Sequence, residues 1–395
     1  MISSSTEGPR RLMIVRPTMG QGGADRVTLT LLQHLERSLF SPSLVLMRPE
    51  GELLNEVPDD IPILSLDASR LWNAWLPLKR LFEANQPEIV FSTCSGANIP
   101  VTIAHLLSPG SRRLVLSERN VLFHGGVGPK RLTLNLLKAL LYRGADEITV
   151  VSDGVKKDLM TKLRIPVDRI SVVHNPIDIE EIREKATLPI PHPWFREDVP
   201  IILGVGRLVH EKDFRTLIDA FQQVRVSHPS RLVILGEGPL RRNLEKQIRE
   251  LSLQDHVLLP GYDPNPFPYM ARATVFVLSS RDEGLPNVLL QSMACETPVI
   301  ATRCHSGPEE IITNGSDGLL VPVGDSAAMA GAIVSVLESP ELQRQLVAKA
   351  RESMRRFSAE VVLERYTEAA WPYVSPRNND LHSESQWRAQ NKNSR

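Results

Sequence analysis

Little in this 395-residue chain is extreme, and what it has little of narrows the reading first. Three cysteines, Cys94, Cys295 and Cys304, are too few and too scattered for a disulfide framework or a zinc site, which points to a reducing compartment. Net charge is absent: Lys plus Arg number 46, and so do Asp plus Glu. A dedicated nucleic-acid binder carries a basic excess, so that class is excluded. No run approaches the ~20 apolar residues that span a bilayer. The first ten residues lack the basic-then-apolar pattern of a leader. The expectation is a cytoplasmic protein that at most rests on the inner face of a membrane.

What is present is enough apolar surface for real cores. Apolar residues make up 42%, with 23 glycines besides. At ~150 residues per domain the length suits two or three domains. Short apolar runs alternate with amphipathic stretches. Leu12 to Val15 reads as a strand, and Ala24 to Leu39 as a helix with Val27, Leu31, Leu32, Leu35 and Leu39 on one face. Strand candidates follow at Ile89–Phe91, Leu114–Leu116, Ile148–Val151 and Ile170–Val173. This alternation predicts an α/β class with a doubly wound parallel sheet. Pro176, Pro189, Pro191, Pro193 and Pro200 then crowd one stretch, read as a linker. A second βα series starts at Ile201–Val205, with strands at Leu232–Leu235, Val257–Leu259, Val275–Leu278 and Val299–Ala301. The expected layout is a first domain at 11–180, a linker at 181–199 and a second domain at 200–357. A helix at 358–374 returns to the first domain, and a polar, disordered tail occupies 375–395. Ligands of such sheets bind outside the carboxyl ends of the strands.

Four strand-to-helix turns carry the chemistry. In the first, Gly22 and Gly23 let backbone approach a ligand ahead of a helix N-terminus. An ordinary βα turn would look the same. The second, Gly204-Val205-Gly206-Arg207-Leu208-Val209-His210-Glu211-Lys212-Asp213, suggests a dinucleotide fingerprint. Val209 replaces the third glycine, however, and no acid follows Leu235-Gly236 for a ribose. The turn supplies two cations instead, Arg207 and Lys212, suited to phosphate oxygens. A surface ion pair with Glu211 or Asp213 is the plainer alternative. The third, Asp282 to Gln291, places Glu283 at a helix mouth, where the dipole alone favours a carboxylate. Its functional reading is a polar rim of Glu283, Gly284, Leu285 and Gln291 around a sugar and a ribose. Ser306-Gly307-Pro308-Glu309-Glu310 is the fourth. Together the four argue for a phosphate-bearing ligand.

With these residues in view, the chain resembles glycosyltransferase family 4, of the GT-B fold. The matching pieces are Gly22-Gly23-Ala24-Asp25-Arg26, Ala145-Asp146 with Val151-Ser152, Val173-His174-Asn175-Pro176-Ile177-Asp178, Gly204 to Phe214, Gly236-Glu237-Gly238-Pro239, Glu283 to Ala294 and Gly315 to Pro322. The resemblance implies two Rossmann-like domains about a cleft, the second holding a nucleotide-diphosphate sugar and the first the acceptor. Arg207 and Lys212 match the diphosphate-binding pair, and Glu283 the acid facing the donor sugar. Gly22, Gly23, Gly206, Glu237, Tyr262, Gly284, Leu285 and Gln291 are assigned to the donor. Gln291 stands where the family usually has a second Glu on the ribose hydroxyls. Gln both donates and accepts, so binding survives the change, without the charge-assisted strength. The family often places a His near the sugar, and here Glu118, Arg119 and Asn120 hold that strand end.

The resemblance further implies retention of anomeric configuration, with the leaving phosphate taking the acceptor's proton. The substrates would be a UDP- or GDP-linked hexose or N-acetylhexosamine and a lipid-linked or growing cell-surface glycan. No Asp-x-Asp pair occurs, so neither a metal nor a cofactor is expected. The alternatives are a nucleotide-sugar-binding protein impaired in catalysis and, more weakly, an NAD-dependent oxidoreductase. Between Glu118 and Asp146 there is no acid, but Arg119, Lys130, Arg131, Lys138 and Arg143 are present. A helix at Pro129–Tyr142 would pack Leu132, Leu136, Leu137, Leu140 and Leu141 inward. Lys130, Arg131, Lys138 and Leu134 would face out, as a solvated face or, with Leu122 and Phe123, toward an anionic membrane surface.

Overall fold

The structure is a computed structural model that describes residues 8–20, 22–68, 70–120 and 129–370, with backbone alone for 129–132. The tail at 375–395, Leu122 and Phe123 lie outside the described residues. Two parallel sheets result. The first has the order β3-β2-β1-β4-β5-β6-β7. Its strands are β1 (Arg10–Arg16), β2 (Phe40–Leu46), β3 (Ile63–Ser65), β4 (Ile89–Ser92), β5 (Arg113–Glu118), β6 (Glu147–Val150) and β7 (Ile170–Val172). The second has the order β10-β9-β8-β11-β12-β13. It comprises β8 (Ile201–Val205), β9 (Arg231–Leu235), β10 (Val257–Gly261), β11 (Val275–Leu278), β12 (Val299–Thr302) and β13 (Leu319–Val321). Helices cover both faces, so the strands are near-continuous apolar runs. Strand order reverses beside β1 and beside β8, which opens a crevice at each of their carboxyl ends.

Several elements differ from the sequence expectation. The first helix runs Gly23–His34 and stops short of Leu39. Arg37 ends it by donating to the carbonyls of Leu32 (2.9 Å) and Leu35 (2.8 Å). Strand β2 was not anticipated because it contains Pro42, which lies opposite Leu12 in the ladder. The linker begins as a helix, Ile179–Ala186, N-capped by the Asp178 carboxylate on the Glu181 N–H. The prolines read as helix breakers lie outside it.

The basic helix, Pro129–Leu141, is turned relative to the helical-wheel expectation. Lys138 points inward to Glu118 at 3.0 Å, while Leu136 and Leu140 are 61% and 73% exposed. A buried carboxylate at the end of β5 draws the Lys138 ammonium inward, and two leucines are left outside.

The last described helix, Ala359–Ala370, packs Val362, Leu363, Tyr366 and Ala369 onto Leu12, Ile14, Phe91 and Val115 of the first sheet. The chain thus crosses between the domains twice. The crossings touch: Ile177 bridges Ser358, with Ile177 N–H on Phe357 O (2.8 Å) and Ala359 N–H on Ile177 O (3.0 Å). No helix among the described residues is long and apolar enough to cross a membrane.

Candidate active site

The turn after β1 is built on a buried guanidinium. Arg16 donates to Ala24 O (3.0 Å), Thr28 Oγ1 (2.9 Å) and Thr93 Oγ1 (3.0 Å) and pairs with Asp25. Burial lowers the Arg16 pKa, and the Asp25 charge opposes that shift. The other Asp25 oxygen accepts the Gly22 N–H at 2.9 Å. Asp25 therefore clamps the turn and is not free for a ligand. Gly23 faces the second domain: its carbonyl accepts from Asn287 Nδ2 at 2.9 Å, and a Cβ there would lie 2.9 Å from the same nitrogen.

Across the crevice, Gly206 N–H donates to Leu235 O (2.9 Å). Gly236 sits at φ +138°, where a Cβ would fall 1.9 Å from Gly206 O, so only glycine fits. Arg207 is exposed, and its side chain meets no hydrogen-bond or ion-pair partner among the described residues. Lys212 is half-buried and donates to Glu283, not to Glu211 or Asp213. Asp213 instead pairs with Arg281 (2.8 Å) and takes the Thr216 hydroxyl (2.8 Å). Ser280 Oγ also donates to Glu283 (2.7 Å). Two predicted residues, Lys212 and Glu283, thus form one strand-end pair, and Arg207 lies in the turn that leads to Lys212. Glu237 is exposed and paired with Arg241. Tyr262 is also exposed. Partial burial raises its hydroxyl pKa, against the pull of nearby Arg26, which donates to Pro264 O (2.6 Å).

The Glu283 loop is held by backbone contact. A Cβ on Gly284 would lie 2.0 Å from Arg119 O, across the domain boundary. Leu285 and Gln291 are both buried. Gln291 lines a cavity with Arg26, Asp178, Phe267 and Asn287. That cavity, between the first helix and the second domain, is where a ribose role for Gln291 would have to be played.

The β5 end resolves three candidates into three situations. Glu118 is fully buried and accepts from Lys138 Nζ (3.0 Å), Tyr142 OH (2.8 Å) and Ser95 Oγ. Burial, with the Glu118 charge, raises the Tyr142 hydroxyl pKa well above 10, so the phenol stays a donor. Arg119 is buried among neutral acceptors: Thr93 O (3.0 Å), Asn175 Oδ1 (2.8 Å) and Tyr366 OH (3.2 Å). Only Asn120 of the three presents its side chain to solvent.

The fourth turn reaches across the domain boundary. Ser306 Oγ donates to Gly284 O (3.0 Å) and meets Ser152 Oγ at 2.6 Å. Glu310 crosses to the first domain and accepts the N–H groups of Asp153 (2.7 Å) and Gly154 (3.3 Å), capping the Asp153–Lys162 helix. Burial nonetheless pushes the Glu310 carboxyl up. This turn also clamps the two domains together. Sequence reasoning quoted Asn175 and Asn287 inside motifs and gave them no role. It likewise gave no role to Ser152 and Tyr142 and missed Ser95 altogether, since a lone Ser or Tyr carries no spacing signal.

Residues 191–353 match the family described as glycosyl transferases group 1, and residues 21–181 match glycosyltransferase family 4. A Campylobacter jejuni protein is 32% identical over 364 residues, covering 88% of this chain and 96% of that protein. Its name is N-acetylgalactosamine-N,N'-diacetylbacillosaminyl-diphospho-undecaprenol 4-alpha-N-acetylgalactosaminyltransferase. The lipopolysaccharide core biosynthesis glycosyltransferase LpsE of Rhizobium meliloti is 35% identical over 170 residues, covering 43% of this chain and 49% of that protein. Among solved structures, Anabaena HepE in complex with UDP-glucose superposes with a TM-score of 0.76 at 17% identity, covering 91% of this chain and 98% of that one. A Rickettsia africae glycosyltransferase does so at 0.76 and 18%, covering 94% and 100%. The fold they share is GT-B.

Proposed function

We propose, from the premise that this chain belongs to glycosyltransferase family 4, a retaining hexosyl- or N-acetylhexosaminyltransferase that uses a UDP- or GDP-sugar. Its acceptor is a lipid-linked or growing glycan in cell-surface polysaccharide assembly. The observation that carries the reading is the Lys212–Glu283 ion pair at the end of the crevice, with Arg207 exposed in the same turn after β8. In the free protein Lys212 and Glu283 neutralise each other, while Arg207 stands unengaged. An arriving diphosphate draws Lys212 away and takes the Arg207 fork. Glu283 is then freed to accept from the donor sugar's hydroxyls. As the bond to the sugar breaks, negative charge grows on the diphosphate, where the two recruited cations stabilise it. The acceptor hydroxyl attacks from the same face, and the leaving phosphate takes its proton. Gly22, Gly23 and Gly206 keep backbone close to the phosphates. Asn120 is the side chain of the β5 end that is open to the acceptor.

No metal or cofactor is part of this reading, which the absence of an Asp-x-Asp pair supports. A lipid-linked acceptor is favoured by the C. jejuni relative, whose name includes a diphospho-undecaprenol. It is also favoured by exposed Leu106, Leu107, Leu136 and Leu140, since Leu106 packs on Gly144 just beyond the helix that carries the last two. This apolar face would dip into the headgroup region of an anionic membrane; Lys138 is withdrawn from the basic face expected from sequence, and the side chains of Lys130 and Arg131 lie outside the described residues. The test is nucleoside-diphosphate release from a panel of UDP- and GDP-sugars, with a short polyprenyl-diphosphate N-acetylhexosamine as acceptor. Release should depend on acceptor and survive EDTA. Loss on chelation with recovery in Mg²⁺ refutes the metal-free mechanism. Failure to sediment with anionic liposomes refutes the membrane face.

A further inference from the structure

A chain of hydrogen bonds crosses the cleft in one direction. Arg119 Nη1 donates to Asn175 Oδ1 (2.8 Å), Asn175 Nδ2 to Asn287 Oδ1 (2.6 Å), and Asn287 Nδ2 to Gly23 O (2.9 Å). The two ends fix its sense. A guanidinium only donates and a carbonyl only accepts, so each amide has one orientation that satisfies both neighbours. The chain starts in the first domain, passes through the first crossing, enters the donor loop and ends at the glycine turn of the first domain. Asn175 is 5% exposed and also reaches Leu285 O at 3.3 Å. Arg119 is tied to Tyr366 of the returning helix, and its own carbonyl touches Gly284. Gly23 has no room for a Cβ against Asn287.

We infer that Asn175 and Asn287 are positioning residues for glycosyl transfer: they latch the Gly22–Gly23 turn onto the Glu283 loop, completing the diphosphate site only when the domains close. The catalytic consequence rests on the donor placement proposed above, whereas the latch itself does not. Polarity makes a specific demand. In Asn287→Asp, no donor remains for Gly23 O, and two acceptors face each other. In Asn175→Asp, the Arg119 bond survives, but Asn287 must turn its amide toward the new carboxylate and offer oxygen to Gly23 O. Both changes fail at the same link and preserve size.

The experiment has two readouts. Small-angle scattering on the unliganded protein measures closure, and UDP release from UDP-glucose and UDP-N-acetylglucosamine measures turnover. Each variant, with wild-type circular dichroism, is expected to shift toward a larger radius of gyration. kcat is expected to fall about ten- to a hundredfold, the range for one lost hydrogen bond plus an unpaired acceptor, with a smaller change in KM. The double variant should lose more than either single one, because two carboxylates then meet across the 175–287 link with no donor between them. Unchanged scattering in both variants overturns the latch. Opened variants that turn over at the wild-type rate overturn the positioning role. A wild type inactive on both donors and on the GDP-sugars of the panel, with the scattering shift intact, counts against the donor assignment and leaves the latch standing.

Discussion

Lys138→Met separates two views of the basic helix. From the helical wheel, Lys138 is a surface cation, and its loss changes stability by no more than about 0.5 kcal/mol. In the structure its side chain is 11% exposed and bonds a Glu118 carboxylate that is 0% exposed. Removing the ammonium leaves a buried charge with only the Tyr142 and Ser95 hydroxyls to hold it. That situation costs about 3–5 kcal/mol. For a domain of this size about 2–4 °C accompanies each kcal/mol, so the first-domain transition should fall by roughly 6–20 °C. The companion change Glu118→Gln removes the charge from the other side. In the double variant the charge is gone from both sides, leaving a neutral amide among neutral donors and most of the loss restored. The assay is thermal unfolding by circular dichroism of the four proteins in the cycle. A Lys138→Met protein within about 1 °C of wild type, or strictly additive losses, would refute the buried-pair argument.

Arg207→Ala should leave the unliganded melting temperature unchanged and weaken donor use about ten- to a hundredfold, since its charge-assisted bonds form only with ligand. Lys212→Ala should lose a similar factor and also destabilise the free protein, because Glu283 loses its partner; equal effects on free stability would contradict the exchange of partners. Gly284→Ala forces a Cβ into Arg119 O, so turnover should collapse while UDP binding, followed by calorimetry, persists. Burial, reinforced by Arg365 and Arg356, holds the His174 pKa down to about 4. The unfolded state binds its proton near 6.5, so stability is complete above that pH and declines from 6.5 to 4, by roughly 3 kcal/mol. His174→Gln should flatten that limb of the pH–stability curve, measured by urea unfolding, and an unaltered slope would show that another group drives it.

The parts of the fold carried by local pattern were legible in the sequence. Buried parallel strands such as β8 and β11 are uninterrupted apolar runs, and the glycine turns announce themselves by residue type. Strand β2 was hidden by Pro42, and the Ile179–Ala186 helix by the prolines on either side. In both cases tertiary pairing or a cap outweighed a breaker whose position did no harm. The site divides similarly. Lys212 and Glu283 were found separately, yet their mutual ion pair was invisible, since they lie 71 positions apart. Glu118 and Arg119 looked like ligand groups because charged residues at a strand end usually face the crevice. Their burial follows from partners at Lys138, Tyr142, Asn175 and Tyr366 that no local spacing encodes.

The returning helix has a consequence for synthesis. Its Val362, Leu363 and Tyr366 cover Leu12, Ile14 and Phe91, so one face of the first sheet stays exposed until the final described residues leave the ribosome. About 190 residues separate the first crossing from the end of that helix, an interval of roughly 10–40 s at ribosomal rates of 5–20 residues per second. The second domain has all its strands only once β13 (Leu319–Val321) is made and can then fold alone, while the first keeps an apolar face open to chaperones throughout. The domain made first is therefore finished last, and a nascent chain stalled before Ala359 should carry a folded second domain behind an unsealed first one.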